Sequence, residues 1–482
     1  MSIYQGYRIV EVKDWSRIPK TKLQNDNKIF CYKNINSCDS YNLGLYLNER
    51  DEYCVCGFVG ICVLKDKWDR DYVDPNGNKI ILKVIPRFNV SPWEMLARVM
   101  DDKEYERYAA ASEELGEKFY EIFEDEKPIK LDVENSGGEV LLAISFIRLC
   151  YKICTGNLNR KMGYVHENMN GKIRGRIDFN NHIKKNVAHG REDRIFCKYP
   201  QFTEDTIENQ ILKKAVILSE RILLVNKCLE VDGLTKIREM LAYCKRRLLH
   251  IKTIDIKKSD FLIVDIKGFN SLYAPAIKVA ELVITHSSLS VSEKGDKTGY
   301  VVPYAIRMET VFEFYARSLI KDSFATNGDE NEWKIEEYKD IAHKESLLKT
   351  IDVESAYLMK NYIPDIAIQH FNKESGEWEY TTVLDVKYQK SKDPNSTSVR
   401  HNTHQLLSYA LLLNTKYCGF VFPDEKGYEP EKIDHPLVMQ NGLIKGADRI
   451  YAEFHIGIEK NKREDEMKRM IEYVKRLGSE NK

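Results

Sequence analysis

The chain has 482 residues, 43% of them hydrophobic and 11% aromatic, enough for roughly two to four domains and more than one core. Lys plus Arg and Asp plus Glu both total 74, so the overall charge announces no polyanionic partner, and any nucleic-acid surface must come from local clustering. The opening "MSIYQGYRIVEVKDW" lacks the charged-then-apolar plan of a secretory leader, and no apolar run approaches the ~18 residues of a membrane span, so a cytoplasmic protein is expected.

Residues 1 to about 135 favour strands: "KIFCYKNI", "YNLGLYLN", "YCVCGFVGICVL" and "KIILKVIP" are rich in β-branched and aromatic residues, and "DPNGNK" supplies a hairpin turn between the last two. The 11 cysteines, an odd number spread from Cys31 to Cys418, do not form a secreted disulfide framework, and reduced thiols are expected. The densest group, Cys31, Cys38, Cys54, Cys56 and Cys62, lacks two spaced Cys-x-x-Cys pairs. Its spacing favours buried small side chains, with a structural zinc site as the alternative.

A charged segment, "DKEYERYAAASEELGEKFYEIFEDE", reads as helical. From "SGGEVLLAISFIRLCYKIC" the period becomes helical, and in "TIENQILKKAVILSERILLV" Ile207, Ile211, Ala215, Leu218 and Ile222 recur at steps of three and four. The mainly helical middle region, residues 136–300, is interrupted by "KIRGRIDFNNHIKKN", expected to be a basic hairpin leading into a turn of helix. Lys172, Arg174, Arg176, Lys184 and Lys185 make it the most conspicuous basic patch, suited to DNA phosphates or an acidic partner surface. The alternative is local structure, with Arg176 and Asp178 as an internal pair. The run "YCKRRLLHIKTIDIKK" reads as a solvated helix face.

The last third, residues 301–482, predicts a helix in "YAIRMETVFEFYARSLIKD", then strands at "KTIDVESAYLM", "YIPDIAIQHF" and "TTVLDVKYQ". A helix in "VRHNTHQLLSYALLLN", a strand in "KYCGFVFP" and a closing helix with Met467, Met470, Ile471, Val474 and Leu477 on one face follow. The order is α, three β, α, β, within a multidomain α/β chain.

Asp365 and Asp385 lie in apolar runs joined by "NKESGEWEY", a polar connection containing Gly376, so an antiparallel hairpin is expected to bring the carboxylates together. Asp385 and Lys387 share one face of their strand, while Leu384, Val386 and Tyr388 point into a core. Two close carboxylates repel and lose solvation unless a cation joins them. Mg²⁺ suits such a site, because it prefers oxygen ligands, takes one or two carboxylates and keeps waters. A lysine beside it orients a water and offsets phosphate charge, which is what phosphodiester hydrolysis requires. Taken singly, Pro-Asp is more often a turn and Asp-x-Lys a solvated strand face. Downstream, Gln405 and Tyr409 share a helical face that Leu412 continues, with Leu406, Ala410 and Leu413 on the core side; the pair reads either as a buried Gln hydrogen-bonded to a Tyr or as support for the metal site and contact with the DNA backbone. His401, one turn earlier, reads as a surface histidine.

The order Pro-Asp, Asp-x-Lys, Gln-x-x-x-Tyr resembles the PD-(D/E)xK nuclease superfamily, in the branch with RecB-like domains. That resemblance implies an αβββαβ nuclease domain in which Asp365 and Asp385 bind the metal, the Val386 carbonyl completes the ligand set and Lys387 serves the water. It also implies supporting and DNA-backbone roles for Gln405 and Tyr409, and an acidic ligand from the first helix. "ETVFEFYARSL" offers Glu309 and Glu313, of which Glu313 fits better; an ordinary solvated pair is the alternative.

"MNGKIRGRIDF" and "EDTIENQIL" further resemble the middle region of the McrC family, the nuclease subunits of McrBC-type (LlaJI-like) restriction systems, and "GFVGICVL", "ILKVIPRF" and "SPWEMLARVM" resemble its N-terminal β-domain. The likeness spans about residues 55–421; the segment "GDENEWKIEEYKDIAHKES" and the long tail depart from it. It implies a Mg²⁺-dependent endodeoxyribonuclease, with Mn²⁺ as a substitute metal, that cuts double-stranded DNA in the defence of a prokaryotic cell. The N-terminal domain, residues 1–135, would dock on and stimulate a hexameric McrB-like AAA+ GTPase. GTP would belong to that partner, since this chain has no G-x-x-x-x-G-K-[S/T] loop. The competing readings are a GTPase-activating scaffold whose nuclease fold is dispensable, and a free-standing restriction or repair nuclease.

Overall fold

The computed structural model describes residues 3–4, 6–18, 29–31, 45–48, 50, 52–66, 68, 70–100, 120–123, 129–132, 137–225, 234–264, 272–291, 298–301, 303–326, 332–336, 364–390, 397–424, 437–439, 449–457 and 459–479. The three segments expected from the sequence group into two compact units: Met1–Glu126 with Val302–Lys482, and Lys127–Val301.

The first unit includes strands β1 (Tyr7–Lys13), β2 (Phe58–Asp66) and β3 (Lys79–Ile85), then helix α1 (Pro92–Met100) and strand β4 (Tyr120–Ile122), besides shorter strands. β1 pairs parallel with β3, and β3 antiparallel with β2. The turn between β2 and β3 forms as expected from "DPNGNK": Asp74 Oδ1 accepts the backbone N–H groups of Asn76 at 2.9 Å and Asn78 at 2.8 Å. Val10, Val12, Leu64, Ile80, Leu82 and Val84 fill the core on this sheet. Cys54, Cys56 and Cys62 are buried and in no disulfide, as their spacing favoured. Cys38 lies outside the described residues. So does most of the charged segment expected to be a helix, but its "YEI" is strand β4.

The second unit holds α2 (Gly137–Thr155), β5 (Lys161–Asn170), β6 (Arg176–Ile177), α3 (Phe179–Lys185), β7 (Arg194–Thr203), α4 (Ile207–Val225), α5 (Thr235–Arg247) and α6 (Tyr273–Val291). The helical expectation holds for α2 and α4, but "KIRGRIDF" is not itself a hairpin. The ladder runs from Lys161 opposite Thr203 to Asn170 opposite Arg194, and Arg176 and Ile177 add a short edge strand on Lys198 and Cys197. The ribbon escaped the sequence reading because most of β5 is half-buried or exposed and carries no apolar period. Gly175 has φ +71°, and a Cβ there would lie 2.6 Å from the Lys198 carbonyl oxygen, so the edge strand closes only over a glycine.

The buried stripe of α4 is also rotated from expectation. It comprises Glu208, Asn209, Ile211, Leu212, Ala215, Val216, Ser219 and Leu223, because its first turn turns polar groups inward. Asn209 Nδ2 donates to the carbonyls of Asn159 at 3.0 Å and Glu204 at 2.7 Å, while its Oδ1 accepts from Tyr273 Oη at 2.8 Å. Glu208 Oε1 meets Lys161 Nζ at 2.6 Å. The "DTIEN" motif thus ties helix, ribbon and α6 together through the buried hydrogen bonds of Asn209 and the Glu208–Lys161 pair.

The chain re-enters the first unit through β8 (Tyr304–Arg307), followed by α7 (Met308–Thr326). The helix expected from "YAIRMETVFEFYARSLIKD" therefore starts four residues late: Tyr304–Arg307 pairs with Phe58–Ile61 of β2 and with β4, and sheet pairing overrides helical propensity there. Next come β9 (Trp333–Ile335), β10 (Ile366–Asn372), β11 (Glu377–Val386), α8 (Thr397–Leu412), β12 (Tyr417–Pro423), β13 (Leu437–Met439), β14 (Arg449–Ile456) and α9 (Lys460–Ser479). Their sheet has the order β9, β10, β11, β12, β14, β13 among the described residues, antiparallel from β9 to β11 and parallel from β11 through β12 to β14. The strand expected at "KTIDVESAYLM" lies outside the described residues. The strand beside β10 is β9, inside a segment that departed from the family resemblance. Met467, Met470, Ile471 and Val474 of α9 are buried, as expected.

Arg317 on α7 is 2% exposed and donates to the Asp365 carbonyl at 2.5 Å and to the Glu336 carbonyl. An Arg317→Leu change leaves both acceptors without that donor, and a loss of about 2–4 kcal/mol is expected, read from the first unfolding transition in denaturant.

Candidate active site

The hairpin of β10 and β11 turns at Gly376, whose N–H bonds the Asn372 carbonyl at 2.8 Å. Its register pairs Ile366 with Leu384, so one step further along the antiparallel ladder Asp365 stands opposite Asp385. Asp365 Oδ2 accepts the Val386 N–H at 2.7 Å, which holds that carboxylate against the end of β11. Asp385 is 0% exposed; its Oδ2 meets Lys387 Nζ at 2.9 Å, and its Oδ1 is buried with no hydrogen-bond partner.

Burial, and next the charge of Asp365, push the Asp385 carboxyl up to about 8 against the pull of Lys387. Burial works against the Lys387 ammonium, yet Asp365 and Asp385 hold its pKa above the ordinary lysine value. Glu313, on α7, is pushed well above the carboxylate range by burial and then by Asp365, with Lys387 opposing and Asp385 adding to the rise. Glu309 is exposed at the start of α7; local desolvation raises it, and Arg87, Lys387 and Arg307 pull it back down. Of the two acids left open by the sequence, Glu313 is the one whose proton senses both aspartates.

Gln405 Nε2 donates to Tyr409 Oη at 2.8 Å. Tyr409 is only 2% exposed and packs with Leu406, Ala410, Val383 and Phe420, so it belongs to the core side of α8 as well as to the Gln405 side. That departs from the expected split of the helix: α8 packs on both β11 and β12, and a wider stripe than Leu406, Ala410 and Leu413 is covered. Burial raises the Tyr409 phenol to about 12, Gln405 pulls it down, and the charges of Asp365 and Asp385 add to the rise. His401 is exposed, as expected.

Sequence reasoning missed the residues that brace this corner. Arg87, just beyond β3, donates to the Tyr388 carbonyl, one residue past Lys387, and stacks 5.3 Å from the Tyr388 ring. Asp14 receives the Arg87 N–H at 2.6 Å and pairs with its guanidinium at 3.4 Å. Tyr380 donates to the Glu336 carboxylate, which is 3% exposed. The legible signal was an arginine closing the apolar run "ILKVIPRF", and Arg317 one turn after Glu313.

Lys172, Arg174, Arg176, Lys184 and Lys185 are exposed and belong to the second unit. Arg174 stacks 4.1 Å over the Tyr199 ring and Lys185 lies 4.8 Å from the Phe196 ring, so two of the five rest on aromatics of β7. Asp178 caps α3 and contacts His166 Nδ1 at 2.8 Å and Asn181 Nδ2 at 2.8 Å, so its partners are these and not Arg176.

The site is a buried and a half-buried aspartate with a lysine at the end of two interior strands of a mixed sheet, in a two-unit α/β protein. A family model for the McrBC 5-methylcytosine restriction system component matches residues 123–423, more than half of the sequence. The chain belongs to that family, the one its motifs resemble. Among solved structures it is similar to the refined half-complex from the tetradecameric assembly of Thermococcus gammatolerans McrB AAA+ hexamers with bound McrC, at 13% identity and TM-score 0.39, over 97% of this chain and 100% of the other. A second, the cryo-EM structure of the Thermococcus gammatolerans McrBC complex, gives 12% identity and TM-score 0.28, over 66% of this chain and 88% of the other. No curated protein matches. Among the described residues, no helix is long and apolar enough to cross a membrane.

Buried Asp385 holds its proton well above the ordinary aspartate range. Its folded-state carboxyl binds a proton more readily than the 3.8 of an unperturbed aspartate, so without a bound cation the fold loses stability as pH rises from 3.8 to about 8. In chelator, Asp385→Asn is expected to melt a few degrees above the unsubstituted protein at pH 8, with the gap closing near pH 4. A thermal scan showing no gain at pH 8 contradicts the buried charge.

Proposed function

We propose that this protein is the DNA endonuclease subunit of a GTP-driven McrBC-like restriction system: a McrC-like chain with a PD-(D/E)xK nuclease domain, acting on double-stranded DNA beside a McrB-like AAA+ GTPase hexamer. The observation that carries the chemistry is the meeting of Asp365, Asp385 and Lys387 at one end of β11, with a buried Asp385 oxygen left without a hydrogen bond. Membership of the McrBC family supplies the restriction context.

Donor set and electrostatics fit a hard divalent ion, Mg²⁺ or Mn²⁺. Asp385 Oδ1 lacks a donor, Asp365 has one oxygen engaged by Val386, and Glu313 shares their field. Asp365 and Asp385 would hold it with the Val386 carbonyl; the carboxylates of Asp365, Asp385 and Glu313 do not all lie within 4.8 Å of one another, so Glu313 would join the set only by moving in. When bound, it supplies a Lewis acid for phosphodiester hydrolysis.

The remaining work falls to the protein's own groups. Lys387, kept protonated beside Asp385, presents an ammonium that orients a water and meets charge growing on the phosphate. Gln405 fixes the direction of the Tyr409 hydroxyl near the two aspartates and lies on α8, where it can steady the DNA backbone. The exposed basic group of Lys172, Arg174, Arg176, Lys184 and Lys185 is assigned to phosphate or partner contact, with Arg174 and Lys185 held in place by aromatic rings.

The test reconstitutes the chain with the AAA+ GTPase of its own system, Mg²⁺, GTP and methylated or unmethylated plasmid. Asp385→Ala and Lys387→Ala are each expected to lower cleavage at least about a hundredfold while GTP hydrolysis stays stimulated. Cleavage by Asp385→Ala at the unsubstituted rate overturns the site. Cutting by the chain alone, without GTP, would instead indicate a free-standing nuclease.

A further inference from the structure

The second unit contains a donor cluster that the nuclease reading does not use. Cys150 and Cys154 stand one turn apart on α2, and Cys244 comes from the last turn of α5. Their three Sγ atoms lie within 4.8 Å of one another, and each residue is at most 1% exposed. Among the described residues this is the one group of three or more Cys, His, Asp or Glu side chains close enough to share an ion.

We propose that Cys150, Cys154 and Cys244 hold a single thiophilic d¹⁰ cation, Zn²⁺ or Cu⁺, that clamps α2 to α5. Spacing supports this. At a metal–sulfur bond of about 2.3 Å, two thiolates are separated by about 3.8 Å in a tetrahedral site and about 4.0 Å in a trigonal one. The Cys150 and Cys154 sulfurs are 3.9 Å apart. Sulfur donors without nitrogen or oxygen select soft ions and exclude Mg²⁺ and Ca²⁺.

The surroundings suit the product. Three thiolates on a divalent ion carry one net negative charge, two on a monovalent one. The Arg247 guanidinium, one turn after Cys244, acts electrostatically on Cys154 and is anchored by Glu204 at 3.0 Å. Glu204 also binds Arg160 at 2.7 Å, so a second guanidinium lies at that corner. Loading replaces each S–H bond by a metal–sulfur bond and releases one proton per thiol to solvent, with no change of oxidation state. With every sulfur buried, the ion enters as the helices pack, and its binding adds to folding stability.

The full-length chain, purified under reductant and chelator-treated, would be titrated with Co²⁺ as an optical stand-in for zinc, and separately with Cu⁺ against a competing chelator. The expected result is a thiolate-to-metal charge-transfer band saturating at one equivalent, present in Cys56→Ser and lost in Cys244→Ser and Cys154→Ser. In the unsubstituted protein the tighter-bound of Zn²⁺ and Cu⁺ should protect these three thiols from alkylation, read by peptide mass spectrometry, and raise the melting temperature. The better competitor identifies the resident ion. Absence of the band and of protection, a band that survives Cys244→Ser, or a disulfide between any two of the three would overturn the proposal.

Discussion

An ionised carboxylate taken from water into a protein interior costs several kcal/mol, and Asp385 is buried beside a second carboxylate, Asp365. Much of the first unit acts to limit that cost. Lys387 lies within ion-pair distance, the Val386 N–H takes one oxygen of Asp365, and Arg317 ties the Asp365 carbonyl to α7. What remains uncompensated is an oxygen of Asp385 with no donor, the point at which the proposed cation would bind.

The local part of this arrangement was legible in the sequence. Alternation placed Asp385 and Lys387 on one strand face, and the glycine-containing turn made the pairing of the two runs foreseeable. Two things were out of reach. One was β9, since three residues in a polar segment give no period to recognise. The other was the set of distant supports: Asp14, Arg87 and Arg307 are far along the chain from Lys387, and no spacing rule links them. The same limit hid the cysteine trio, whose third member sits on another helix 90 positions from Cys154.

In the second unit, the motif that looked most like a signature has a structural explanation. Glu208 and Asn209 are fully buried and hydrogen-bonded into the junction of α4 with β5 and α6, and Asp178 is a helix cap. Their residue types are set by donors and acceptors that must be satisfied inside a helical unit. Of the exposed basic residues near them, Arg174 and Lys185 are held by the rings of Tyr199 and Phe196.

The path of the chain has a practical consequence. β4 and β8 are neighbours in one sheet, and Ile129–Asp132 pairs with Thr298–Val301 in the other unit, so the second unit is spliced into the first through two adjacent crossings. A fragment starting at residue 301 would keep the acidic corner's own strands but forfeit the Arg87 brace and bare both edges of Tyr304–Arg307, an invitation to stick to other copies. Removing the inserted unit and bridging Phe123 to Pro303, already joined by a 2.9 Å backbone hydrogen bond, is the gentler cut. Dissection of this protein should follow that seam and leave both ends of the polypeptide in place.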